Sequence, residues 1–489
     1  MSYSRGQIVK SFFWKLLERS GAQIISFIVS IILARLLEPS EYGIIAIITI
    51  FINLANVIID GGLNTALIQK KDADNEDFST ILYFSLSLSV VVYLLLFFSA
   101  PLIASFYDND EITLVLRVLS LSIIFCAYNS IQRAYVSKHL LFKKLFWCSL
   151  IGVVISGVVG ILMAYAGYGV WALVAQSMSH QVINTIVMSL IIKWRPIKVF
   201  SLERFKSLFD YGWKIFATNF IIALYNDIRG IVIGKLYQPA SLAFFDRGKQ
   251  FPALLMGNIN ASLQTILFPV LSEEQDRRDR VKSIMRRSTT ISCFFIFPLL
   301  VGLFTVARPL ILFLLTEKWL PVVPFLQIFC IAYMLMPMQI ANMEAVKSMG
   351  YSNITLKLEV IKKIIEAIIL VVSFLIGIKA VAWGIVVYNA ICLFINLYPN
   401  IKLLDYKISE QIKDVFPSLI VSLIMGASVY WIQYLSMPTI LILICQTALG
   451  IIVYGLLCNI LKLETYLYLM DFIRGGMRAK NGHFENETE

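Results

Sequence analysis

The sequence predicts an all-α polytopic membrane protein: about 14 transmembrane helices, arranged as two parallel six-helix lobes around a central cavity, plus two C-terminal helices. Three observations lead there. First, 15% of the 489 residues are charged and 58% are hydrophobic, against roughly 25% charged and under 50% apolar in soluble domains. Second, runs such as 81–104 and 290–315 are long enough to cross about 30 Å of hydrocarbon as helices. Backbone groups in lipid must bond within their own segment, so these runs are helices and not open strands. Third, short stretches recur about 200 residues apart in the same order.

The expected spans, taken in order, alternate between basic and weakly charged flanks. Span 1 (13–35) follows the basic segment Arg5 to Arg19, and span 2 (43–66) follows a loop whose one cation is Arg35. Lys70 and Lys71 precede span 3 (79–103), and the acidic DND at 108–110 precedes span 4 (112–132). Span 5 (146–165) follows Arg133 to Lys144, and span 6 (168–192) follows a short uncharged turn. A basic connector, Lys193 to Lys214, leads to span 7 (212–235), and Lys235 lies in the loop before span 8 (241–270). A second connector, Arg277 to Arg287, leads to span 9 (290–315), and Lys318 precedes the proline-bearing span 10 (319–344). Lys347 to Lys363 precede span 11 (358–377), Lys379 precedes span 12 (380–399), and Lys402 to Lys413 precede span 13 (414–434). Span 14 (439–460) is followed by a basic tail from Lys462. The predicted division is an N-lobe at 1–200, a C-lobe at 201–408, and an appendix with a tail at 409–489.

Charge also sets the orientation. The N-terminus, every second loop and the tail hold 33 of the 42 basic residues; the intervening loops hold five. By the positive-inside rule both termini are cytoplasmic. The net charge of +11 is therefore a topology signal, and no aromatic-interleaved basic patch points to nucleic acid. The N-terminal segment is mixed polar and apolar, with no short apolar core before a small-residue cleavage site, so it is not expected to be a cleaved signal. No GxxxxGK[ST] stretch occurs. The DND triplet reads as a solvated turn. Seven scattered cysteines without CxxC spacing read as structural thiols. No metal cluster and no cofactor are expected.

The repeat pairs ILARLLEPSEYG (32–43) with VIGKLYQPASLA (232–243), Trp14-Lys15 with Trp213-Lys214, and APLI (100–103) with RPLI (308–311). An even number of spans per repeat keeps both halves in one orientation, so the pseudo-twofold axis runs along the membrane normal.

Polar residues inside spans are costly in lipid and mark function. In span 2, Thr49, Asn53, Asn56, Asp60 and Asn64 recur at three- and four-residue spacing, one continuous helical stripe. In span 8, Asp246, Lys249, Asn260 and Gln264 form another, with Arg247 beside them. At the repeat offset, Asp60 maps onto Asn260 and Asn64 onto Gln264, so the stripes are expected to face each other across a central cavity. Span 7 adds Asn219, Asn226, Asp227 and Arg229, which concentrates charge in the second lobe. The cationic wall would comprise Arg229, Arg247 and Lys249, countered by Asp227 and Asp246. The same groups can serve as helix-locking ion pairs or hydrogen-bond glue. Glu344, with Lys347 one turn on, reads as a surface salt bridge.

SIILARLLEPSEYGIIAI, GLNTALIQKKD (62–72), GYGVWALVAQ (167–176), SLQTILFPVLSEEQD (262–276) and LLTEKWLPVVPFLQI (314–328) resemble signature stretches of bacterial polysaccharide exporters. Within these, the stretches are similar to those of colanic-acid-exporter-like lipopolysaccharide biosynthesis flippases of the multidrug/oligosaccharidyl-lipid/polysaccharide superfamily. The resemblance runs from about residue 5 to 405. It implies a transporter, not an enzyme, in the bacterial inner membrane. It further implies that undecaprenyl-diphosphate-linked oligosaccharide is flipped between leaflets by two lobes opening alternately. The cationic cavity would be lined by spans 1, 2, 7 and 8, with Arg19 matching, by position in span 1, an arginine common in the superfamily.

The partners expected are thus the lipid-linked glycan and membrane lipid, without nucleic acid, in a monomeric transport unit. H+ or Na+ coupling would use Asp60, Asp227 or Asp246. A cation-coupled multidrug extruder and a lipid II flippase share the fold. A membrane O-antigen polymerase or ligase would need larger outward loops. On the flippase reading, the cations of FFDRGKQF (244–251) hold diphosphate by charge-assisted hydrogen bonds.

Overall fold

A computed structural model describes residues 5–468 and 470; within it, the side chains of residues 5–13, 16, 19, 20 and 258–266 lie outside the described set. The described chain is helical, without a strand, as apolar runs in lipid require. Ten helical stretches among the described residues are long and apolar enough to cross a membrane, which makes this a multi-pass membrane protein. The expected spans 1, 6, 8 and 11 are helical but outside those ten. Polarity accounts for two of them: span 11 carries Glu359, Lys362, Lys363 and Glu366, and span 6 carries Gln176, His180, Gln181 and Asn184. The side chains of spans 1 and 8 lie partly outside the described set, and the described part of span 1, Gly21–Leu36, is a shorter apolar helix.

The chain forms two compact units, Met1–Ala243 and Phe244–Glu489. The first holds α1 (Arg5–Leu36), α2 (Pro39–Asp60), α3 (Leu63–Gln69), α4 (Asn75–Phe106), α5 (Glu111–Ser120), α6 (Ser122–Lys138), α7 (Phe142–Tyr165), α8 (Val170–Ile191) and α9 (Leu202–Leu236). Thus α9, read from the sequence as the first helix of the C-lobe, packs with the first unit, against α2, α3 and α4.

Small residues set its approach. A Cβ at Gly234 would stand 3.0 Å from Ile47 Cγ1, and one at Gly230 would stand 2.7 Å from Ile50 Cδ1. Lower on α9, Gly212 meets the Gly61–Gly62 turn: a Cβ at Gly62 would lie 2.3 Å from the Gly212 carbonyl oxygen. The start of α4 is held by its cap, where Asp74 accepts from the backbone N–H groups of Glu76 and Asp77 at 3.1 and 3.0 Å. Arg204 of α9 reaches the same corner, bonding Asp74 at 2.7 Å, Glu76 at 2.9 Å and Asp77 at 3.2 Å. A fully buried polar group, Asn129, Gln132 and Asn184, lies between α6 and α8.

The second unit runs along α10 (Pro239–Glu273), which starts five residues before the unit boundary. It continues with α11 (Arg278–Thr305), α12 (Ala307–Leu315), α13 (Val322–Met334), α14 (Met336–Ser348), α15 (Ser352–Ile376), α16 (Ile378–Leu404), α17 (Ile408–Tyr430) and α18 (Thr439–Ile460). Helix α11 is central, packing on α13, α14 and α17. Three buried amides tie α14, α16 and α17: Asn400 donates to Asn342 Oδ1 at 2.8 Å, and Asn342 donates to Gln411 Oε1 at 2.9 Å. This is interhelical hydrogen bonding where no water competes.

The sequence repeat has a local structural counterpart. α1 and α9 end at Leu36 and Leu236, and α2 and α10 begin at Pro39 and Pro239. Proline suits a first helical position, because its missing N–H is one the helix cannot bond anyway.

Candidate functional site

The polar stripe of the first unit begins on α2. Thr49 and Asn53 are exposed, and Asn56 and Asp60 are half-buried. The opposite side of α2 holds Ile44, Ile47, Ile48 and Ala55, all buried. Amphipathicity of this kind fits a helix packed on one face and open on the other. The stripe does not continue as one helix to Asn64. α2 ends at Asp60, and Gly61 and Gly62 both take the left-handed backbone region, with φ of 52° and 69°. Glycine adopts that region without steric cost. Asn64 therefore stands on α3 and folds back, its Nδ2 donating to Asp60 Oδ1. Two of the predicted residues are brought together in this way, and Asn64 is a partner of the stripe's last carboxylate.

On α9, Asn219 and Asn226 are exposed, and Asp227 and Arg229 are half-buried. The glycines that dock α9 on α2 follow directly, at Gly230 and Gly234. The charged residues thus sit one turn before the tightest approach of the two helices. The GxxxG spacing of 230–234 is the sequence signal for this packing, and it is independent of the polar stripe.

The FFDRGKQF segment lies near the start of α10 in the second unit. Its apolar face is built against α13: Phe245 is 3% exposed, with ring centroids 5.9 Å from Phe325 and 5.1 Å from Phe329. Gly248 is on the same side. A Cβ there would lie 2.5 Å from Phe325 Cβ and 2.8 Å from the Leu326 backbone nitrogen. Arg247 is half-buried beside the fully buried Trp319. Its guanidinium carbon is 5.7 Å from the Trp319 ring centroid, and Nη1 donates to Gln250 Oε1 at 2.8 Å. Such stacking with a hydrogen bond fixes a guanidinium plane better than it would fix an ammonium. Asp246 and Lys249 are exposed. The helix therefore packs with Phe245 and Gly248 and presents Asp246 and Lys249, with Arg247 at the border.

Arg19 lies on α1, and Asn260 and Gln264 on α10, but their side chains lie outside the described residues. Lys347 bonds Glu344 at 2.9 Å, as its spacing predicted. Glu344 is buried, at 6% exposure, and Lys347 is exposed, so the pair runs from the packed interior of its unit to the surface and is only half a surface salt bridge. The acidic turn after α4 is tied by Asp108, which bonds Lys235 at 2.7 Å. No group of three metal-ligating side chains occurs among the described residues.

Comparison with known proteins bears on these positions. The family described as polysaccharide biosynthesis protein matches residues 32–324, which covers α2 to α12, the Trp319 segment and the start of α13. The succinoglycan biosynthesis transport protein ExoT of Rhizobium meliloti is 22% identical over 306 residues, 63% of this chain and 62% of that protein. The chain thus spans just under two thirds of that relative. The lipopolysaccharide biosynthesis protein WzxC of Escherichia coli is 23% identical over 433 residues, 87% of this chain and 84% of that protein. Among solved structures, the lipid II flippase MurJ in an inward closed conformation superposes with a TM-score of 0.71 at 17% identity, covering 91% of this chain and 98% of that one. That likeness establishes the fold. With more than half of its length matched by the family's own pattern, the chain belongs to the polysaccharide biosynthesis protein family.

Proposed function

We propose that this protein flips an undecaprenyl-diphosphate-linked oligosaccharide across the bacterial inner membrane, by alternating access, to supply surface glycan synthesis. The observation that carries the reading is the exposed charge of α10. A charged side chain at the bilayer centre costs about 2.5–3.5 kcal/mol on insertion scales. Yet Asp246 and Lys249 are exposed on a helix whose other face is tightly packed. A polar, water-accessible path for an anionic headgroup accounts for that placement, since the lipid diphosphate then makes charge-assisted bonds to Lys249 and Arg247. The exposed amides Asn53, Asn219 and Asn226 suit sugar hydroxyls, which need both donors and acceptors. Family membership and the name of WzxC support a role in polysaccharide biosynthesis, and the name of ExoT, a biosynthesis transport protein, supports transport in that role.

The finer features belong to the same proposal. Fourteen spans form two six-helix lobes, divided near residue 200, with spans 13 and 14 appended after residue 408. Both termini are cytoplasmic, and the transport unit is a monomer. Arg19, Asn56, Asp60, Asn64, Arg229, Asn260 and Gln264 complete the cavity, and Asp60, Asp227 or Asp246 couples transport to H+ or Na+. The protein is a transporter and carries out no covalent chemistry on the glycan.

Deletion of the gene in its own host tests this. Lipid-linked oligosaccharide should accumulate on the cytoplasmic leaflet while surface glycan falls. Accumulation of peptidoglycan precursor in its place would assign the lipid II flippase reading, and drug sensitivity with normal glycan would assign the extruder.

A further inference from the structure

The α9 and α10 charges leave a second basic region of the molecule unused. At one end of the second unit, α11, α17 and the segment after α18 enclose a cleft of about 760 Å³, within the roughly 300–1,000 Å³ usual for small-molecule sites. Four cations line it: Arg286, Arg287, Lys413 and Lys462. Three carboxylates share the lining, Glu410, Asp414 and Glu464, and two of them are engaged by Arg286 and by Lys282. Asp414 bonds Arg286 at 2.5 Å and accepts from the Tyr406 hydroxyl. Glu410 bonds Lys282 at 3.1 Å, outside the cleft lining. Among the described residues no carboxylate pairs with Arg287, Lys413 or Lys462. Arg287 instead lies flat on Tyr468, 3.7 Å from the ring centroid, which holds its guanidinium in place and leaves its N–H edge for an anion.

The wall of the cleft changes character with depth. One turn beyond Arg286 and Arg287, α11 contributes Thr290 and Ile291; beyond Lys413, α17 contributes Pro417 and Ser418. The adjoining outer surface is apolar and exposed, at Phe295, Ile412, Phe416 and Leu461. In a membrane protein that surface meets hydrocarbon. Cations at the polar end, hydroxyls beneath them and acyl-facing surface beside them follow the order of a phospholipid from headgroup to chain.

We propose that this cleft binds the phosphate-bearing headgroup of an anionic phospholipid, with Arg287, Lys413 and Lys462 as the phosphate ligands. The site is separate from the substrate path of α9 and α10, and the proposal stands whether or not the glycan substrate is as argued above.

The test uses the full-length protein in phosphatidylcholine nanodiscs and a fluorescent short-chain phosphatidylglycerol as probe. Saturable binding is expected, displaced by dioctanoyl phosphatidylglycerol and not by dioctanoyl phosphatidylcholine. Each cation near a membrane surface strengthens anionic-lipid binding about fivefold. The triple variant Arg287→Gln, Lys413→Gln, Lys462→Gln should therefore bind on the order of 100-fold more weakly. The matched-charge control Lys71→Gln, Lys193→Gln, Lys357→Gln, all exposed, should bind as the wild type does. Melting temperature in the neutral nanodiscs reports folding. If the triple variant fails to fold, Lys413→Gln alone, with about a fivefold loss, carries the test.

Equal binding by the cleft variant and the wild type would overturn the proposal, as would equal losses in the cleft variant and the control. Displacement by inorganic phosphate as effective as by the lipid would overturn the lipid assignment in favour of free phosphate. Displacement by phosphatidylcholine would reduce the cleft to a non-selective lipid contact.

Discussion

Gly248 is where the packing of the FFDRGKQF helix is least forgiving, and Gly248→Ala measures how far the geometry of α10 depends on it. The added Cβ would lie 2.5 Å from Phe325 Cβ, 2.8 Å from Leu326 N and 3.0 Å from Phe325 C. Carbon pairs rest at about 3.5–4.0 Å, so α10 and α13 must separate by roughly 1 Å. Two of the three atoms belong to backbone inside α13, which cannot rotate away. Separation loosens Phe245 from Phe325 and Phe329 and draws Arg247 off Trp319. Overpacking of this kind costs about 1–3 kcal/mol, against a gain of roughly 0.5–1 kcal/mol for replacing a mid-helix glycine by alanine. A net loss centred on about 1 kcal/mol, and reaching at most about 2.5 kcal/mol, follows.

Gly257, also on α10, supplies the internal control, since a Cβ there meets nothing within 4 Å. Gly257→Ala should be neutral or stabilising. The assay is thermal unfolding of both purified variants in one detergent, read beside surface-glycan output in cells lacking the native gene. Gly248→Ala should melt lower and export less, and Gly257→Ala should do neither. If Gly248→Ala melts as the wild type does, the close approach of α10 to α13 is wrong, and so is the placement of Arg247 that depends on it.

Other outcomes follow from the same structure. Gly62→Ala meets the Gly212 carbonyl oxygen at 2.3 Å from a positive-φ backbone, whereas Gly230→Ala meets only the tip of Ile50; paired melting curves should show the larger loss at Gly62. Asn184 is 1% exposed, with neither side-chain polar atom hydrogen-bonded. Asn184→Leu should therefore leave stability unchanged or raise it, because it removes a desolvation cost of about 1–3 kcal/mol. Partial burial alone would raise the Asp74 carboxyl, but the Asp77 backbone N–H and the Arg204 guanidinium hold it below its ordinary 3.8. A depressed folded value contributes stability above pH 3.8 that is lost as pH falls through it. Melting curves between pH 5 and pH 3 should accordingly show a smaller acid loss for Asp74→Asn than for the wild type.

Several features were legible in the sequence because they depend on local pattern. The apolar runs marked helices, and the LLEP and LYQP repeats marked two turns that end and begin at corresponding residues. The break after Asp60 was not seen, because hydrophobicity resumes at Leu63 and the helical spacing of the stripe runs straight through two glycines; the glycine pair itself was the signal. Arg204 and Asp74 are 130 residues apart in sequence, and no periodicity joins such partners. Burial of Glu344 likewise depends on which side of α14 meets its neighbours. At the candidate site, Asn53, Asn219, Asp246 and Lys249 are exposed while Asn56, Asp60, Asp227, Arg229 and Arg247 are half-buried, a division that residue type and spacing did not specify. The packing that sets their direction, through Gly230, Gly234 and Gly248, has no expression in the spacing of the polar residues.

The most direct measurement is transbilayer movement of the substrate itself. The purified protein is reconstituted into vesicles with undecaprenyl-diphosphate-linked oligosaccharide, and the glycan exposed to a membrane-impermeant glycosidase outside is followed in time. Wild-type protein should bring inner-leaflet glycan to the enzyme, beyond the fraction cleaved in protein-free vesicles. Asp246→Asn with Lys249→Gln removes opposite charges together, so neither is left behind as an uncompensated charge. That variant should fold, insert and melt normally, yet expose no more glycan than the protein-free vesicles. Wild-type rates from the double variant would contradict the assignment of α10's exposed charges to substrate, and no added exposure from the wild type would contradict the flippase reading.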